Sequence, residues 1–499
     1  MQNNNRHSKS FKFFLSAIFI VLFSSLYAQH PGFSMRLDFG GDEEPSMFVL
    51  DENGDFVGII NIAPPTDSIY VHHTYVYKIS PLGDTTSLNL SKQDTSLQYH
   101  CITRTMSGVD GFMLQGLGFR LGDSSQMKFT IFTRIDDEMN ILWEKIINLN
   151  EFYWGYRYFG IELMDGDFLY ACSNNNKLHL LKISPLGDSL SYKKTVSPES
   201  GDLFGFTYNS DSTRVLANTE WAYYNGGDSI SSAIEIDEET LEFTRHWFYP
   251  DCFRGPYRNM PYTENRMLAG GSSHWINLAE NKFEDQISAY ILDSDHNIIH
   301  QVHRTDPDTI SRAAEIYGID YVDPSIIYLG GTHNLQYLVG HEPSWIYIAK
   351  LNDTLGVEYE KYLGGDANYV CMNITASPDG GVLITATVHD IGITYFQRDA
   401  MIIKLDANGS ITGTNDNKSI PISDAIVYPN PGGNQMFVRT ALKNCQLLVF
   451  DVTGKQFINK TLQGLVTSIS MEQVPAGSYP YIVEQQGKKI ISGTWIKQE

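Results

Sequence analysis

The chain has 499 residues, and its 58 acidic against 36 basic side chains give a formal net charge of −22. An acidic surface repels phosphate backbones, which argues against a nucleic-acid-binding protein. The length is ample for one large core and a second, smaller domain. The cysteines are scattered singly and are odd in number, so we expect buried thiols rather than a disulfide framework at Cys101, Cys172, Cys252, Cys371 and Cys445.

The N-terminal segment has the layout of a secretory signal peptide. Three basic residues precede an apolar run over 13–23, and small and polar residues follow up to Ala28. This pattern predicts a signal peptide over residues 1–28, with cleavage between Ala28 and Gln29. The apolar run is shorter than the roughly 18 residues that a membrane helix needs, and no other stretch of the sequence approaches that length. We therefore expect an exported chain without a transmembrane anchor.

A seven-residue segment occurs twice, letter for letter, and marks an internal repeat. Lys78 to Asp84 reads KISPLGD, and Lys182 to Asp188 repeats it. Similar hairpins recur every 48 to 59 residues, and each is preceded by a further strand that starts from a turn rich in Asp, Asn or Gly. The seven hairpins centre on Ile79, Ile135, Ile183, Ile236, Leu292, Leu351 and Leu405.

Four strands in a period near fifty residues is the repeat of a β-propeller blade. The clearest strands of this kind are predicted at Val357 to Leu363, Tyr369 to Thr375, Gly381 to Val388 and Ala400 to Leu405. The sequence therefore predicts an all-β protein with a seven-bladed β-propeller over residues 29–413, with six or eight blades as alternatives. Because little chain follows the seventh hairpin, Ser34 to Phe39 is predicted to add to the seventh blade and close the ring.

The chain becomes polar over residues 414–424, which predicts a linker. Short alternating apolar runs with glycine-rich turns follow the linker. They predict a small C-terminal antiparallel β-sandwich over residues 425–499. Its strands are expected at Gln435 to Thr440, Gln446 to Val452, Lys455 to Thr461 and Tyr481 to Gln485.

Three short patterns follow one another in this C-terminal segment. The first is the rigid stretch Tyr428-Pro429-Asn430-Pro431, in which each proline fixes its own φ angle. The second is a hairpin turn from Asp451 to Gly454, and the third runs from Gly477 to Tyr479 ahead of a last strand that ends near Lys497. Turn chemistry alone explains each pattern taken singly. Pro480 cannot donate to a β-ladder, so its strand is expected to lie at an edge or to carry a bulge there.

In this order and at the end of the chain, the patterns resemble the C-terminal sorting domain of the type IX secretion system of Bacteroidota, over residues 425–499. The resemblance implies export through the inner membrane by a signal peptide and then across the outer membrane. The partner of such a domain is the type IX secretion machinery. The resemblance also implies that the tail is trimmed and that the protein is attached to a surface lipopolysaccharide or released.

Signatures of enzymatic chemistry are absent from the sequence. There is no G-x-S-x-G elbow and no H-E-x-x-H zinc pair, and no phosphate-binding glycine loop precedes a helical pattern. Asp51, Asn53 and Asp55 have the spacing of calcium ligands, but the sixth-position glycine and the distal glutamate of an EF-hand are missing, which favours a hairpin turn. No catalytic residue, metal ligand or cofactor is therefore predicted.

Two aromatic segments depart from the repeat at positions where one blade is expected to cross to the next. Such crossings lie on one face of a propeller, and aromatic rings beside guanidinium groups suit stacking on a sugar or binding a peptide. The alternative interpretation is that these side chains wedge between neighbouring blades. The candidate ligand-binding residues are Tyr153, Trp154, Tyr156 and Arg157 in the first segment, and Trp247, Tyr249, Arg254, Tyr257 and Arg258 in the second.

These features favour a secreted or surface-attached binding protein over an enzyme. A surface glycan or a protein is the expected kind of ligand. The competing hypothesis is an extracellular hydrolase or lyase that acts on polysaccharides, because carboxylates that converge from different blades leave no linear motif. Two carboxylates that face each other within roughly 5 to 10 Å at the mouth of the tunnel would favour that hypothesis.

Overall fold

A computed structural model describes residues 31–64, 72–105, 111–121, 128–148, 158–174, 177–194, 202–221, 230–249, 253–277, 282–304, 310–335, 343–391, 397–411, 422–428, 430–440, 442–464 and 466–498. Every regular element in these ranges is a β-strand, which confirms the all-β prediction. Across the described residues there is no helix of the length and apolarity needed to cross a membrane.

The described part of the chain begins with a strand that does not pair with its sequence neighbours, β1 (Phe33–Leu37). Consecutive strands then form three four-stranded antiparallel sheets. Sheet 1 contains β2 (Asp42–Leu50), β3 (Phe56–Ala63), β4 (His73–Ile79) and β5 (Thr85–Asn89). Sheet 2 contains β6 (Thr95–Thr105), β7 (Gly111–Arg120), β8 (Lys128–Ile135) and β9 (Ile141–Ile147). Sheet 3 contains β10 (Tyr158–Glu162), β11 (Phe168–Asn174), β12 (Lys177–Ile183) and β13 (Ser189–Lys194).

The next two sheets repeat this order of strands. Sheet 4 contains β14 (Asp202–Tyr208), β15 (Val215–Trp221), β16 (Ile230–Ile236) and β17 (Phe243–Phe248). Sheet 5 contains β18 (Phe253–Thr263), β19 (Arg266–Asn277), β20 (Lys282–Asp293) and β21 (Ile298–Arg304). Sheet 6 differs at its first position, where two short strands, β22 (Ser311–Ala313) and β23 (Ile319–Asp323), both pair with the next strand, β24 (Ile326–His333). Strands β25 (Trp345–Leu351) and β26 (Val357–Gly364) follow.

Sheet 7 takes its fourth strand from the other end of the described chain. Its own strands are β27 (Asn368–Ala376), β28 (Val382–His389) and β29 (Asp399–Leu405). Strand β1 pairs with β29 in antiparallel register, from Phe33 opposite Lys404 to Leu37 opposite Ala400. The predicted addition of the N-terminal segment to the last sheet is confirmed, with the strand ending at Leu37.

Neighbouring sheets contact one another in sequence order. The first strand of each of sheets 1 to 4 contacts the first strand of the next sheet, β20 contacts β22, and β24 contacts β27. Strand β27 of sheet 7 in turn contacts β2 of sheet 1. The series therefore returns to its starting point, and apolar side chains fill the contacts between successive sheets.

One turn geometry explains the repeated KISPLGD segment. In the turn from Ser80 to Asp84, the Ser80 N–H donates to the Asp84 carbonyl at 2.8 Å and the Gly83 N–H donates to the Ser80 carbonyl at 2.9 Å. The fourth residue has a positive φ of 92°, which glycine adopts without strain. The same two hydrogen bonds close the turns that begin at Asp51, Asp136, Leu163, Ser184, Asp293, Asn352, Ser377, Asp406 and Asp451.

The lysine that opens KISPLGD has a structural partner in its own sheet. Lys78 Nζ lies 2.7 Å from a carboxylate oxygen of Asp51, in the turn between the first and second strands. Sheet 3 repeats the ion pair with Lys182 and Asp165 at 2.7 Å, and sheet 7 repeats it with Lys404 and Asp379 at 2.9 Å. The Asp51 turn is therefore the predicted hairpin turn, closed by a lysine.

The cysteine prediction is confirmed for the described residues. Cys101, Cys172, Cys371 and Cys445 are all buried, and none of them forms a disulfide within the described residues. Burial raises the pKa of Cys101 to about 12. Cys252 lies outside the described residues.

The C-terminal segment forms two further antiparallel sheets around one apolar core. Their strands are β31 (Ala425–Tyr428), β32 (Gln435–Thr440), β33 (Cys445–Phe450), β34 (Gln456–Thr461), β35 (Val466–Ser470), β36 (Gly477–Gln485) and β37 (Lys488–Lys497), after the two-residue β30 (Ile422–Ser423). Sheet 8 has the order β31-β32-β35, and sheet 9 has the order β34-β33-β36-β37. Pro480 lies in β36, an interior strand of sheet 9. The pairing of β33 with β36 ends at Tyr481, so at Pro480 strand β36 is paired only with β37.

The C-terminal sheets dock on the edge of sheet 6. Strand β30 pairs with β26, and Lys361 forms an ion pair with Asp424. Arg439 is buried, and its guanidinium lies 5.9 Å from the ring centroids of both Tyr347 and Tyr362. Residues 422–424, at the end of the predicted linker, are thus in contact with sheet 6, whereas residues 414–421 lie outside the described residues.

Candidate functional site

The first aromatic segment is only partly described. Tyr153, Trp154, Tyr156 and Arg157 lie outside the described residues. The segment leads into β10, where Tyr158 and Phe159 are each 4% exposed. The Tyr158 ring stacks on His100 of sheet 2 at 5.1 Å between centroids. The described end of this segment therefore packs between sheets 2 and 3.

The second aromatic segment packs between sheets 4 and 5. Trp247 is half-buried, and its ring lies 4.5 Å from the His296 ring and 4.7 Å from the guanidinium of Arg245. Tyr249 is 2% exposed, and its hydroxyl is hydrogen-bonded to His296 at 2.9 Å and to Asn259 at 3.0 Å. For Trp247 and Tyr249 these contacts favour the alternative interpretation, in which the rings wedge between neighbouring sheets.

The remaining candidates of the second segment lie on β18. Arg258 forms an ion pair with Asp320 of sheet 6 at 3.1 Å and lies 4.6 Å from the Tyr317 ring. This arginine therefore already links two sheets. Arg254 and Tyr257 lie in β18, where only their backbones are described.

We expect the buried His296 to make the protein sensitive to mild acid. Burial, which penalises the charged imidazole, lowers the pKa of His296 to about 4, although Asp293 opposes the shift. The unfolded chain therefore binds more protons than the folded chain between about pH 6.5 and pH 4. Stability is predicted to fall by about 3 kcal/mol as the pH drops through this window. Urea unfolding at a series of pH values measures the loss.

A variant separates this histidine from the other titrating groups. His296→Asn is expected to reduce the slope of the pH dependence between pH 6.5 and pH 4, because asparagine tolerates the positive φ of 63° and carries no proton. His300→Asn, on the neighbouring strand and half-exposed, is the matched control for the loss of an imidazole. Equal slopes for the wild type and His296→Asn would contradict the assignment.

The three patterns of the C-terminal segment meet at one end of sheet 9. In the register of β36 and β37, Gly477 is opposite Lys497 and Tyr479 is opposite Trp495. The pairing of β33 with β36 ends at Val449 opposite Tyr481, so the turn from Asp451 to Gly454 lies at this same end. We call this end of sheet 9 the motif end.

The proline-rich pattern is tied to the motif end through Asn430. Its side-chain oxygen accepts a hydrogen bond from the Ile496 N–H at 2.9 Å, and its amide nitrogen donates to the Thr494 carbonyl at 2.8 Å. Gly432 forms a bridge with Lys497. Pro431 is exposed, whereas Tyr428 is 2% exposed and packs edge-on against His333 of sheet 6 at 5.3 Å. Pro429 lies outside the described residues.

The other two patterns are held by side-chain hydrogen bonds to turns. The Lys497 ammonium is buried and donates to the carbonyls of Met471 and Val474, at 2.6 and 2.7 Å. The Tyr479 hydroxyl donates to the Pro475 carbonyl at 2.6 Å. An Asp451 carboxylate oxygen accepts bonds from the backbone and hydroxyl of Thr453 and from the Lys455 N–H, which lowers the pKa of Asp451. Each of these two patterns therefore stabilises a turn at the motif end.

Sequence reasoning missed the contacts that join the two parts of the chain. Arg439, which packs against Tyr347 and Tyr362, follows no motif, and its partners are over seventy residues away in the sequence. A lone arginine inside an apolar strand was the available signal, because a buried arginine requires a partner.

Comparison with known proteins identifies the C-terminal segment. A family model described as a secretion system C-terminal sorting domain matches residues 426–497. No curated protein matches the sequence. The solved structure of Kuenenia stuttgartiensis hydrazine synthase is similar with a TM-score of 0.42 and 12% identity, over 70% of this chain and 96% of that chain. The AfRom2 CNH domain is similar with a TM-score of 0.38 and 8% identity, over 75% of this chain and 99% of that chain.

The two structural likenesses are too distant to bear on function, whereas the family match agrees with the order and geometry of the motifs. Residues 426–497 are a C-terminal sorting domain of the type IX secretion system, and the protein is exported and is secreted or attached to the outer surface of the cell.

Proposed function

We propose that residues 29–413 form a seven-bladed β-propeller that acts outside the cell as a binding module for a glycan. The signal peptide over residues 1–28 and the sorting domain deliver the module, and the predicted linker joins the two parts. The observation that carries the proposal is the C-terminal sorting domain, which directs the protein out of the cell. The sequence of the exported chain has no catalytic motif.

The pairing of the sheets supports the propeller. Sheets 1 to 5 have the same antiparallel order of strands, sheets 6 and 7 vary it, and each sheet contacts the next. Strand β1 completes sheet 7, which then contacts sheet 1 through β27 and β2. In such a closed series each sheet packs against two neighbours, and the sheet edges that remain are short.

The two ends of the sheets differ in a way that suggests where a ligand binds. In an antiparallel sheet the turns after the first and third strands lie at one end, and the remaining connections lie at the other. The first end carries the short, repeated turns. Strands β9 and β17 end, and strands β10 and β18 begin, at the other end, next to the two aromatic segments of the sequence. Aromatic rings and guanidinium groups in such connections suit sugar stacking and directional hydrogen bonds.

A glycan array probed with the purified full-length chain tests the proposal. Binding is expected to one class of glycan, and Trp154→Ala and Tyr257→Ala are each expected to weaken it at least about tenfold, because a central aromatic contact is worth more than about 1.4 kcal/mol. Leu186→Ala is the matched control, since Leu186 is 68% exposed in a repeated turn at the opposite end. Binding that survives both aromatic substitutions would refute these contacts, and an array without any bound glycan would refute the ligand class.

A further inference from the structure

Three carboxylates converge where sheet 7 meets sheet 1. One oxygen from each of Asp38, Glu43 and Asp399 lies within 4.8 Å of the others. Asp38 directly follows β1, Glu43 lies in β2, and Asp399 is the first residue of β29. The cluster therefore joins the strand that completes the last sheet to the first strand of sheet 1.

Glu43 is the buried member that lacks a full set of partners. The residue is 0% exposed. Its Oε1 accepts hydrogen bonds from the N–H groups of Phe39 at 3.2 Å and Gly41 at 2.9 Å. Its Oε2 is also buried and has no hydrogen-bond partner within the described parts of the chain. A buried carboxylate oxygen without a partner is costly, so the site requires either a proton or a cation there.

Each of the two neighbouring arginines is shared between carboxylates. Arg36 is shared between Asp399 and Asp390, the latter at 3.0 Å. Arg398 is shared between Asp42 at 2.7 Å and Glu44 at 3.2 Å. Six carboxylates, including Asp38 and Glu43, thus lie around these two guanidinium groups.

Glu43 is inaccessible, so a polysaccharide chain cannot contact its carboxylate. The cluster therefore does not match the glycosidase arrangement, in which the carboxylates flank a bound sugar chain.

We propose that Asp38, Glu43 and Asp399 bind a divalent cation, calcium, that fastens the last sheet to the first. Calcium accepts all-oxygen ligand sets of irregular geometry that include monodentate or bidentate carboxylates and backbone carbonyls, whereas magnesium demands a near-ideal octahedron. Extracellular modules bind calcium with dissociation constants of about 0.1 to 1 mM. No sequence motif predicts this site, because Asp399 is separated from Asp38 by most of the chain.

Thermal unfolding of the full-length, chelator-treated protein tests the site. Addition of calcium chloride is expected to raise the Tm of the wild type by about 2 to 4 °C, with saturation in the low millimolar range. Glu43→Gln is expected to abolish the rise, since it removes the buried charge and keeps the shape of the side chain. Glu44→Gln removes the same charge from the neighbouring position on β2, and is expected to retain the rise.

A second variant and a magnesium control also test the calcium site. Asp38→Asn serves if Glu43→Gln fails to fold, because Asp38 is exposed and asparagine can also accept the hydrogen bond from the Gly40 N–H at 2.8 Å. It too is expected to abolish the response to calcium. A wild-type Tm that does not change, or an equal rise in Glu43→Gln, would overturn the proposal. An equal response to magnesium at the same ionic strength would also overturn it, since that response reflects screening of the net charge of −22.

Discussion

Replacement of Lys404 by alanine is expected to lower the free energy of unfolding by about 3 to 5 kcal/mol. The Lys404 side chain is 0% exposed and donates to both carboxylate oxygens of Asp379, at 3.0 and 2.9 Å. Burial lowers the pKa of Lys404, yet the ion pair with the lysine keeps the pKa of Asp379 below its usual value. Removal of the lysine leaves a buried carboxylate uncompensated. Urea unfolding monitored by tryptophan fluorescence measures the loss.

The repeat supplies the matched control for this experiment. Lys182→Ala removes the equivalent lysine of sheet 3, whose partner Asp165 has a side chain that is 51% exposed. Water can solvate that carboxylate, so the expected cost is at most about 1 kcal/mol. The double variant Lys404→Met with Asp379→Leu is expected to recover most of the stability, because an apolar pair replaces a buried ion pair at little cost. Similar losses for Lys404→Ala and Lys182→Ala would contradict this account.

The features that the sequence predicted depend on neighbouring residues. Each repeated turn is closed by hydrogen bonds between residues three and four positions apart, so its chemistry is readable in a five-residue window such as Ser80 to Asp84. Strand β32 was predicted at its observed bounds, because apolar alternation is also local. The addition of Ser34 to Phe39 to the last sheet followed from counting strands, since a missing fourth strand has to come from elsewhere.

The features that the sequence did not predict depend on residues far apart in the chain. The carboxylates of Asp38 and Asp399 meet only after the series of sheets has closed. The docking of Tyr428 and Arg439 on sheet 6 likewise joins surfaces whose complementarity has no local pattern. An aromatic residue such as Tyr249 has the same appearance in the sequence whether it contacts a ligand or a neighbouring sheet. Its burial, at 2% exposed, became apparent only from the structure.

Trp495→Ala is expected to unfold much of the sorting domain and to block export. Trp495 is 0% exposed, and its ring packs beside Tyr479 in the core shared by sheets 8 and 9. Truncation of a buried tryptophan costs about 3 to 5 kcal/mol. A domain the size of residues 426–497 has a total stability of roughly 4 to 11 kcal/mol, so the loss removes a large fraction of it. Fractionation of cells that express the variant measures the exported share, which we expect to fall severalfold.

Ile496→Ala is the control, because it changes the next residue of the same strand. Successive side chains of a strand point to opposite faces, and Ile496 is 43% exposed where Trp495 is buried. Its backbone N–H, which donates to Asn430, is unchanged by the substitution. The expected cost is within about 0.5 kcal/mol, with export as in the wild type. Equal export of both variants would show that the secretion machinery recognises the motif end without a folded core. Loss of export for Ile496→Ala alone would indicate that the machinery recognises that exposed side chain directly.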